Sequence, residues 1–386
     1  MNLDDILFHL GEDRENYFNA VCPPVVQSAN FAFRDVQHFR ESLSDELNHS
    51  IYTRGNNPTV AIARKKIAAL EQTEDCLLFS SGSAAVAAAV LSQVQQGDHV
   101  ICVQAPYSWT YKLLSLFLPR FGVTTTFVDG TSMAAIQEAI TPKTKVLYLE
   151  SPNSLTFELQ DLEQCSQLAK AHGLVSIIDN SHCSPLYQQP AKYGIDLVVH
   201  SATKYLNGHS DIMAGAICGS HTLIQQIFMS EYMTIGAILS PHDASLLIRG
   251  LRTLKLRVEQ SDKSCAVITS KLVDHPAIER LYYPFAADHP QLALAKRQMG
   301  GTGGLFTVAL KAKSIADVER FCQQLQRFLL AVSWGGHESL YLPICGFYGV
   351  AGRDDPPAPW NLVRFYVGIE DTDYLMSDLE QALSVL

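Results

Sequence analysis

The sequence predicts a three-layer α/β domain followed by a smaller α+β domain. Three observations carry this expectation. Short apolar runs alternate with helix-like stretches from residue 76 to residue 201, as in parallel strands joined by helical crossovers. Near residue 240 the alternation gives way to a long helical stretch, after which strands are sparse. Composition allows large cores, with hydrophobic residues at 47% and charged residues at 18% of 386. At ~150 residues per domain, a chain of this length holds two or three domains.

Residues 1–60 read as irregular, with loop-like text such as "VCPPVVQSANF" and "RGNNPT". The first buried strand is expected at 76–80 (CLLFS), with a helix over 83–95. Strands follow at 99–103 and 124–128, separated by a helix from Tyr107 to Leu118. Further strands are expected at 145–150, 174–179 and 196–201; the helix between the first two is stopped by Gly173. Ser240 and Pro241 have the residue types of a helix cap and first turn, so a long helix should leave the α/β domain there. Then come a strand at 304–310, a helix opened by the capping-box pair Ser314 and Asp317, a strand at 362–369 and a final helix. "GGTGG" (300–304) reads as a flexible connector. The expected division is an arm at 1–60, an α/β domain at 61–245 and an α+β domain at 246–386.

The formal net charge is −10, and no Lys/Arg block offers the basic face that nucleic acid requires. The nine cysteines are scattered without a C-x-x-C pair, which favours reduced thiols over disulfides or a metal site. The N-terminus has acids where a signal peptide needs bases. The apolar stretch "SAAVAAAVLSQV" is too short to span a bilayer. A cytoplasmic protein is expected, with no membrane or nucleic-acid partner.

Chemistry should gather at the carboxyl ends of the strands, where open α/β sheets bind ligands. Gly82 and Ser83 open a helix directly after a strand. Free N–H groups there suit a phosphate, although an ordinary capped strand–helix turn reads the same. Asp179 ends "LVSIID", a costly place for a carboxylate unless it is paired. It fits either an Asx-turn or a partner for a protonated ring nitrogen. Lys204 follows the apolar run "LVV" and is flanked by Ser201 and Thr203. A lysine, a carboxylate and a phosphate cradle together are what pyridoxal phosphate needs. Tyr107, at another strand end, is available to stack on its ring.

Eight stretches in order now point to one family: "YTRGNNPT", "SSGSAA", "LESPNS", "IIDNSHCSP", "HSATKYLNGHSD", "SPHDASLLIRGLRTL", "SWGGHESL" and "VRFYVGIED". From about residue 20 onward the chain resembles the pyridoxal-phosphate enzymes of cysteine and methionine metabolism. These trans-sulfuration enzymes include cystathionine β- and γ-lyases, cystathionine γ-synthase and methionine γ-lyase. The resemblance implies fold type I, the aspartate-aminotransferase architecture. It implies that Lys204 carries the cofactor as a Schiff base and afterwards acts as the base. By the same resemblance, Asp179 pairs with the ring nitrogen and Tyr107 stacks on the ring. Gly82, Ser83, Ser201 and Thr203 bind the phosphate. Tyr52 and Arg54 reach the phosphate of a neighbouring subunit in a homotetramer of shared-site dimers. Arg364, helped by Ser333, grips the substrate carboxylate.

Several positions depart from the family pattern. Ser154 stands where an asparagine is usual, with Asn153 one residue earlier. Trp109 replaces a small residue after Tyr107; it either narrows the pocket or packs outward. Trp334 resembles the β-lyases, whereas Val332 resembles methionine γ-lyase, where cystathionine γ-lyases and γ-synthases often carry an acid. The segment 345–361 is unlike the family's usual text. The expected activity is carbon–sulfur lysis of a sulfur amino acid, with cystathionine β-elimination first. The alternatives are γ-elimination, γ-replacement on an acylated homoserine and cofactor binding without turnover.

Overall fold

The computed structural model describes residues 1–351 and 358–386. Part of the unusual 345–361 segment therefore lies outside the described residues. The chain forms two compact units. The first comprises Met1–Glu150, Gln160–Asn207 and Asp211–Thr253; the second comprises Ser151–Leu159, Gly208–Ser210 and Leu254–Leu386.

The first unit is built on a seven-stranded sheet. Its strands are β1 (Asp75–Phe79), β2 (His99–Val103), β3 (Thr124–Val128), β4 (Thr144–Glu150), β5 (Val175–Asp179), β6 (Leu197–Ser201) and β7 (Gly215–Gly219), in the order β1-β7-β6-β5-β4-β2-β3. All neighbouring pairs from β6 to β3 are parallel. The expected strands at 76–80, 99–103, 124–128, 145–150, 174–179 and 196–201 all form, within a residue or two of their expected bounds. The purely parallel expectation fails at β7, which runs antiparallel to both β1 and β6. "GAICG" is short and glycine-bounded, so it gives little periodic signal in sequence. Strands buried on both faces read as continuous apolar runs. Leu77, Phe79, Val100, Cys102, Val146, Ile177, Val199 and Ile217 form one face's core with the alanine-rich helix Gly82–Leu91.

Residues 1–60 are part of this first unit and include the helices Leu3–Phe8 and Val36–Leu43. Their anchor is Lys66, whose buried ammonium donates to the Ile6 and Leu7 carbonyls at 3.0 and 3.1 Å. Glu12 accepts from Lys66 and Arg252, both at 3.2 Å, and from Arg14 at 2.9 Å. A buried carboxylate among three cations is the kind of pairing that offsets desolvation. The expected Tyr107–Leu118 helix is α-helical only over Ser108–Lys112. It then winds as a π-helix over Leu113–Phe117 and as a 3₁₀ turn over Leu118–Phe121.

The expected long helix after residue 240 is two helices, Pro241–Arg252 and Leu254–Leu272. Thr253 leaves helical geometry at φ −107° and ψ 7°, and its hydroxyl donates to the Gly250 carbonyl at 3.2 Å. The units divide at that residue instead of at 245/246. The second unit holds a five-stranded sheet, β10-β11-β12-β9-β8. Its strands are β8 (Ile278–Tyr282), β9 (Leu305–Leu310), β10 (Leu329–Leu330), β11 (Leu340–Pro343) and β12 (Leu362–Tyr366). Phe306, Phe321, Phe328 and Phe365 pack its core with the C-terminal helix Thr372–Leu383. Apart from exposed Gly300, the "GGTGG" stretch is buried and pinned by side-chain contacts instead of being a free connector. Asp262 Oδ1 accepts the backbone N–H groups of Thr302 and Gly303 at 2.8 and 3.0 Å. Among the described residues, no helix is long and apolar enough to cross a membrane.

Candidate active site

In the first unit the predicted groups gather at neighbouring strand ends. Strand register pairs Glu150 with Asp179, Asp179 with Val199, and Ser201 with Gly215. Phe79 also pairs with Gly215, so the turn after β1 arises beside the end of β6. The Ser81 hydroxyl caps the helix Gly82–Leu91 by accepting from Ala84 N–H at 3.1 Å. A Cβ on Gly82 would lie 2.7 Å from the Ser201 Cβ, so only glycine lets the helix start lie against Ser201.

Asp179 is buried, and its Oδ1 accepts from Ser181 N–H at 2.9 Å. The Asx-turn reading is thus present as geometry, and it also fixes the carboxylate. The Ser181 hydroxyl accepts from Ser201 N–H at 2.6 Å and ties the two strand ends together.

Lys204 sits in a turn held on several sides. Its N–H donates to Ser201 O at 3.1 Å. The Thr203 hydroxyl donates to Ala214 O at 3.2 Å and accepts from Ala214 N–H at 2.9 Å. Asn207 N–H donates to Ala202 O at 2.9 Å, and its side chain donates to Asp211 at 2.8 Å. A Cβ on Gly250 would lie 2.2 Å from the Asn207 carbonyl oxygen; glycine there permits the close helix approach.

Tyr107 precedes the helix Ser108–Lys112, and its N–H donates to Glu150 at 2.6 Å. Burial pushes its phenol pKa up, and the Asp179 and Glu150 carboxylates add to this against an opposing hydrogen bond with Ser83. The hydroxyl therefore keeps its proton at neutral pH. Trp109 is 57% exposed, with the Lys112 ammonium 5.0 Å from its ring centroid, which fits outward packing. Tyr52 and Arg54 are exposed side by side, with the guanidinium 5.4 Å from the tyrosine ring centroid.

In the second unit, Arg364 lies on β12. It donates to Ser154 O at 3.1 Å and to Ser333 O at 3.4 Å. Ser333 has φ +83°, a strained value for a residue other than glycine. Trp334 is buried and Val332 is 71% exposed. Asn153 shapes the loop that presents Ser154. Its Oδ1 accepts from the N–H groups of Leu155, Thr156 and Phe157 at 2.9–3.0 Å, and its Nδ2 donates to Glu158. The Asn153 side chain is committed to its own loop, which leaves Ser154 at the position where the family usually has asparagine.

The first unit's groups fit pyridoxal phosphate. The Gly82 cradle is shaped by close approach, N–H groups open a ten-residue helix, and a buried carboxylate and a lysine stand at adjacent strand ends. Ser181 and Glu150 lie in the motifs "IIDNSHCSP" and "LESPNS", but the sequence assigns neither a role. Glu150 is legible only as a carboxylate ending an apolar strand; Ser181 gives no such signal.

The family model described as Cys/Met metabolism PLP-dependent enzyme matches residues 4–384. A curated L-methionine gamma-lyase of Pseudomonas deceptionensis is 39% identical, covering 98% of this chain and 96% of its own length. The Bacillus subtilis cystathionine gamma-lyase is 34% identical over 99% of both chains. The solved structure of metB from Corynebacterium glutamicum superposes with a TM-score of 0.92 at 30% identity, covering 100% of this chain and 98% of that one.

Proposed function

The chain belongs to the Cys/Met metabolism PLP-dependent enzymes, carbon–sulfur lyases of fold type I, and we propose that within them it acts by γ-elimination. The substrate we favour is methionine, converted with water into 2-oxobutyrate, methanethiol and ammonia. The observation that carries this reading is the set of similar curated relatives. Those from two Pseudomonas species, at 39% and 37% identity, are named L-methionine gamma-lyase. This favours the γ-alternative over the cystathionine β-elimination that the sequence placed first. The apolar, exposed Val332 supports the same choice, because methionine ends in an uncharged thioether.

Bound pyridoxal phosphate supplies an electron sink that weakens the bonds at the substrate's α-carbon. Gly82, Ser83, Ser201 and Thr203 would hold its phosphate, and Asp179 would hold its ring nitrogen. The Lys204 amine takes the proton from Cα and carries protons along the same face of the substrate. The Tyr107 phenol, whose pKa partial burial raises further, would stack on the ring and give its proton to the departing sulfur. Arg364 meets the carboxylate with a planar fork, aimed by the carbonyls of Ser154 and Ser333. Exposed Tyr52 and Arg54 fit a role in a second copy's site, within a tetramer of shared-site dimers. A cytoplasmic location accords with nine free cysteines, all buried except Cys22.

The test is product identity. The purified holoenzyme is incubated separately with methionine, cystathionine and an O-acylhomoserine, and the 2-oxoacids are separated chromatographically. Release of 2-oxobutyrate and methanethiol from methionine is the expected result. Pyruvate from cystathionine, with methionine left intact, overturns the reading in favour of β-elimination.

A further inference from the structure

Behind the ends of β5 and β6 lies a set of polar side chains that the reaction above does not use. Glu71 closes the helix Pro58–Glu71 and is fully buried. Its Oε1 accepts from Asn180 Nδ2 at 2.8 Å and meets His200 Nε2. Asn180 is held in turn by Gln188, donating to its carbonyl at 2.9 Å and accepting from its side chain at 3.0 Å. Asn180 follows Asp179, and its N–H donates to Val199 O at 2.9 Å. His200 precedes Ser201, and strand alternation turns its ring to the opposite face of the sheet. The set therefore grips the two strand ends from the rear.

Glu71 is a costly residue type for a fully buried place. The carboxylate is buried, and its Oε2 has no hydrogen-bond partner among the described residues. Such a group costs free energy that a packed apolar residue would not. A buried hydrogen-bonded network of this kind rigidifies its surroundings and specifies one arrangement.

We propose that Glu71 is a positioning residue for the cofactor site. By holding Asn180 and His200 it fixes the ends of β5 and β6, and so sets where the Asp179 carboxylate and the Ser201 hydroxyl stand. The proposal rests on the reading of Asp179 and Ser201 as cofactor ligands.

The test uses the full-length holoenzyme with Glu71→Gln, Glu71→Leu and, as a reference, Asp179→Ala. Three quantities are measured: the pyridoxal-phosphate dissociation constant from its absorption, the visible circular dichroism of the bound cofactor, and the Tm of the cofactor-free chain. Glutamine still accepts hydrogen bonds but loses the charge, which makes such bonds roughly half as strong. It should weaken cofactor binding about threefold and leucine at least ~tenfold. Both should alter the visible dichroism; leucine leaves Asn180 and His200 without their acceptor and should lower the cofactor-free Tm, whereas glutamine still accepts and should leave it unchanged. A Glu71→Gln chain with the wild-type dissociation constant and dichroism overturns the inference, and so does a Glu71→Gln loss of affinity accompanied by a lower cofactor-free Tm. If Asp179→Ala binds cofactor as the wild type does, the ligand assignment falls and this inference with it. If Asp179→Ala weakens binding and Glu71→Gln does not, only this inference falls.

Discussion

Gly82 and Ser201 stand so close that a single methyl group on Gly82 would reach within 2.7 Å of the Ser201 Cβ. The contact joins the start of one helix to the end of β6, so neither side has a flexible chain end to move aside. Overpacking of this kind costs about 1–3 kcal/mol. Gly82→Ala should therefore raise the cofactor dissociation constant about tenfold. Absorbance titration checks this, and wild-type affinity in the variant would show that the cradle is not the phosphate site.

Tyr107 tests the assignment of the proton donor. Burial first, and the Asp179 and Glu150 carboxylates after it, raise its phenol pKa above the ordinary value, so the proton is there to give at neutral pH. Tyr107→Phe keeps the ring and removes the proton, so kcat should fall by about 10²–10⁴. Cofactor binding should change little. If turnover persists at the wild-type rate, the sulfur receives its proton from elsewhere.

Asn153 and Arg364 are linked through the loop that carries Ser154. Asn153→Ala strips the acceptor from three backbone N–H groups, at about 1–3 kcal/mol for each one left buried and unsatisfied. The Ser154 carbonyl should then stop aiming Arg364. KM for the amino acid should rise about tenfold while the cofactor dissociation constant holds. An unchanged KM would separate the loop from substrate binding.

Lys204→Ala should abolish elimination from every sulfur amino acid, because no other group is assigned to carry the Cα proton. Loss of the amine should also shift the absorption band of the bound cofactor. A variant that still releases 2-oxobutyrate at the wild-type rate would remove Lys204 from the mechanism.

His99 gives a pH-dependent stability. Burial lowers its pKa in the folded chain, where it bridges Thr144 and Thr126 at 2.8 and 2.9 Å. In the unfolded chain it titrates near the ordinary value of about 6.5. The unfolded state therefore takes up its proton first as pH falls. The neutral imidazole's contribution is whole above about pH 6.5 and is lost as pH drops towards the lowered folded value. Denaturant melts of wild type and His99→Gln between pH 7.5 and 5 should converge as pH falls. Parallel curves would assign the slope to other groups.

The sequence by itself determined the strand ends and what stands on them. "LVSIID" and "LVVHSATK" are apolar runs that stop at Asp179 and shortly before Lys204, because a buried strand tolerates a charged group only where it emerges. The helix opened by Gly82 and Ser83, the place of Tyr107 and the order of eight motifs were equally legible, since each depends on neighbours in the chain. Tertiary structure alone decided the rest. It inserted β7 between β1 and β6, a choice made by pairing across 140 residues that leaves no local period to read. It split the helix at Thr253, where the side chain competes for a backbone carbonyl. It spent Asn153 on its own loop and left Ser154 in the expected place of asparagine. And it brought Glu71 beneath His200, 129 residues away, because a buried carboxylate takes its partners from whatever the packed sheet presents.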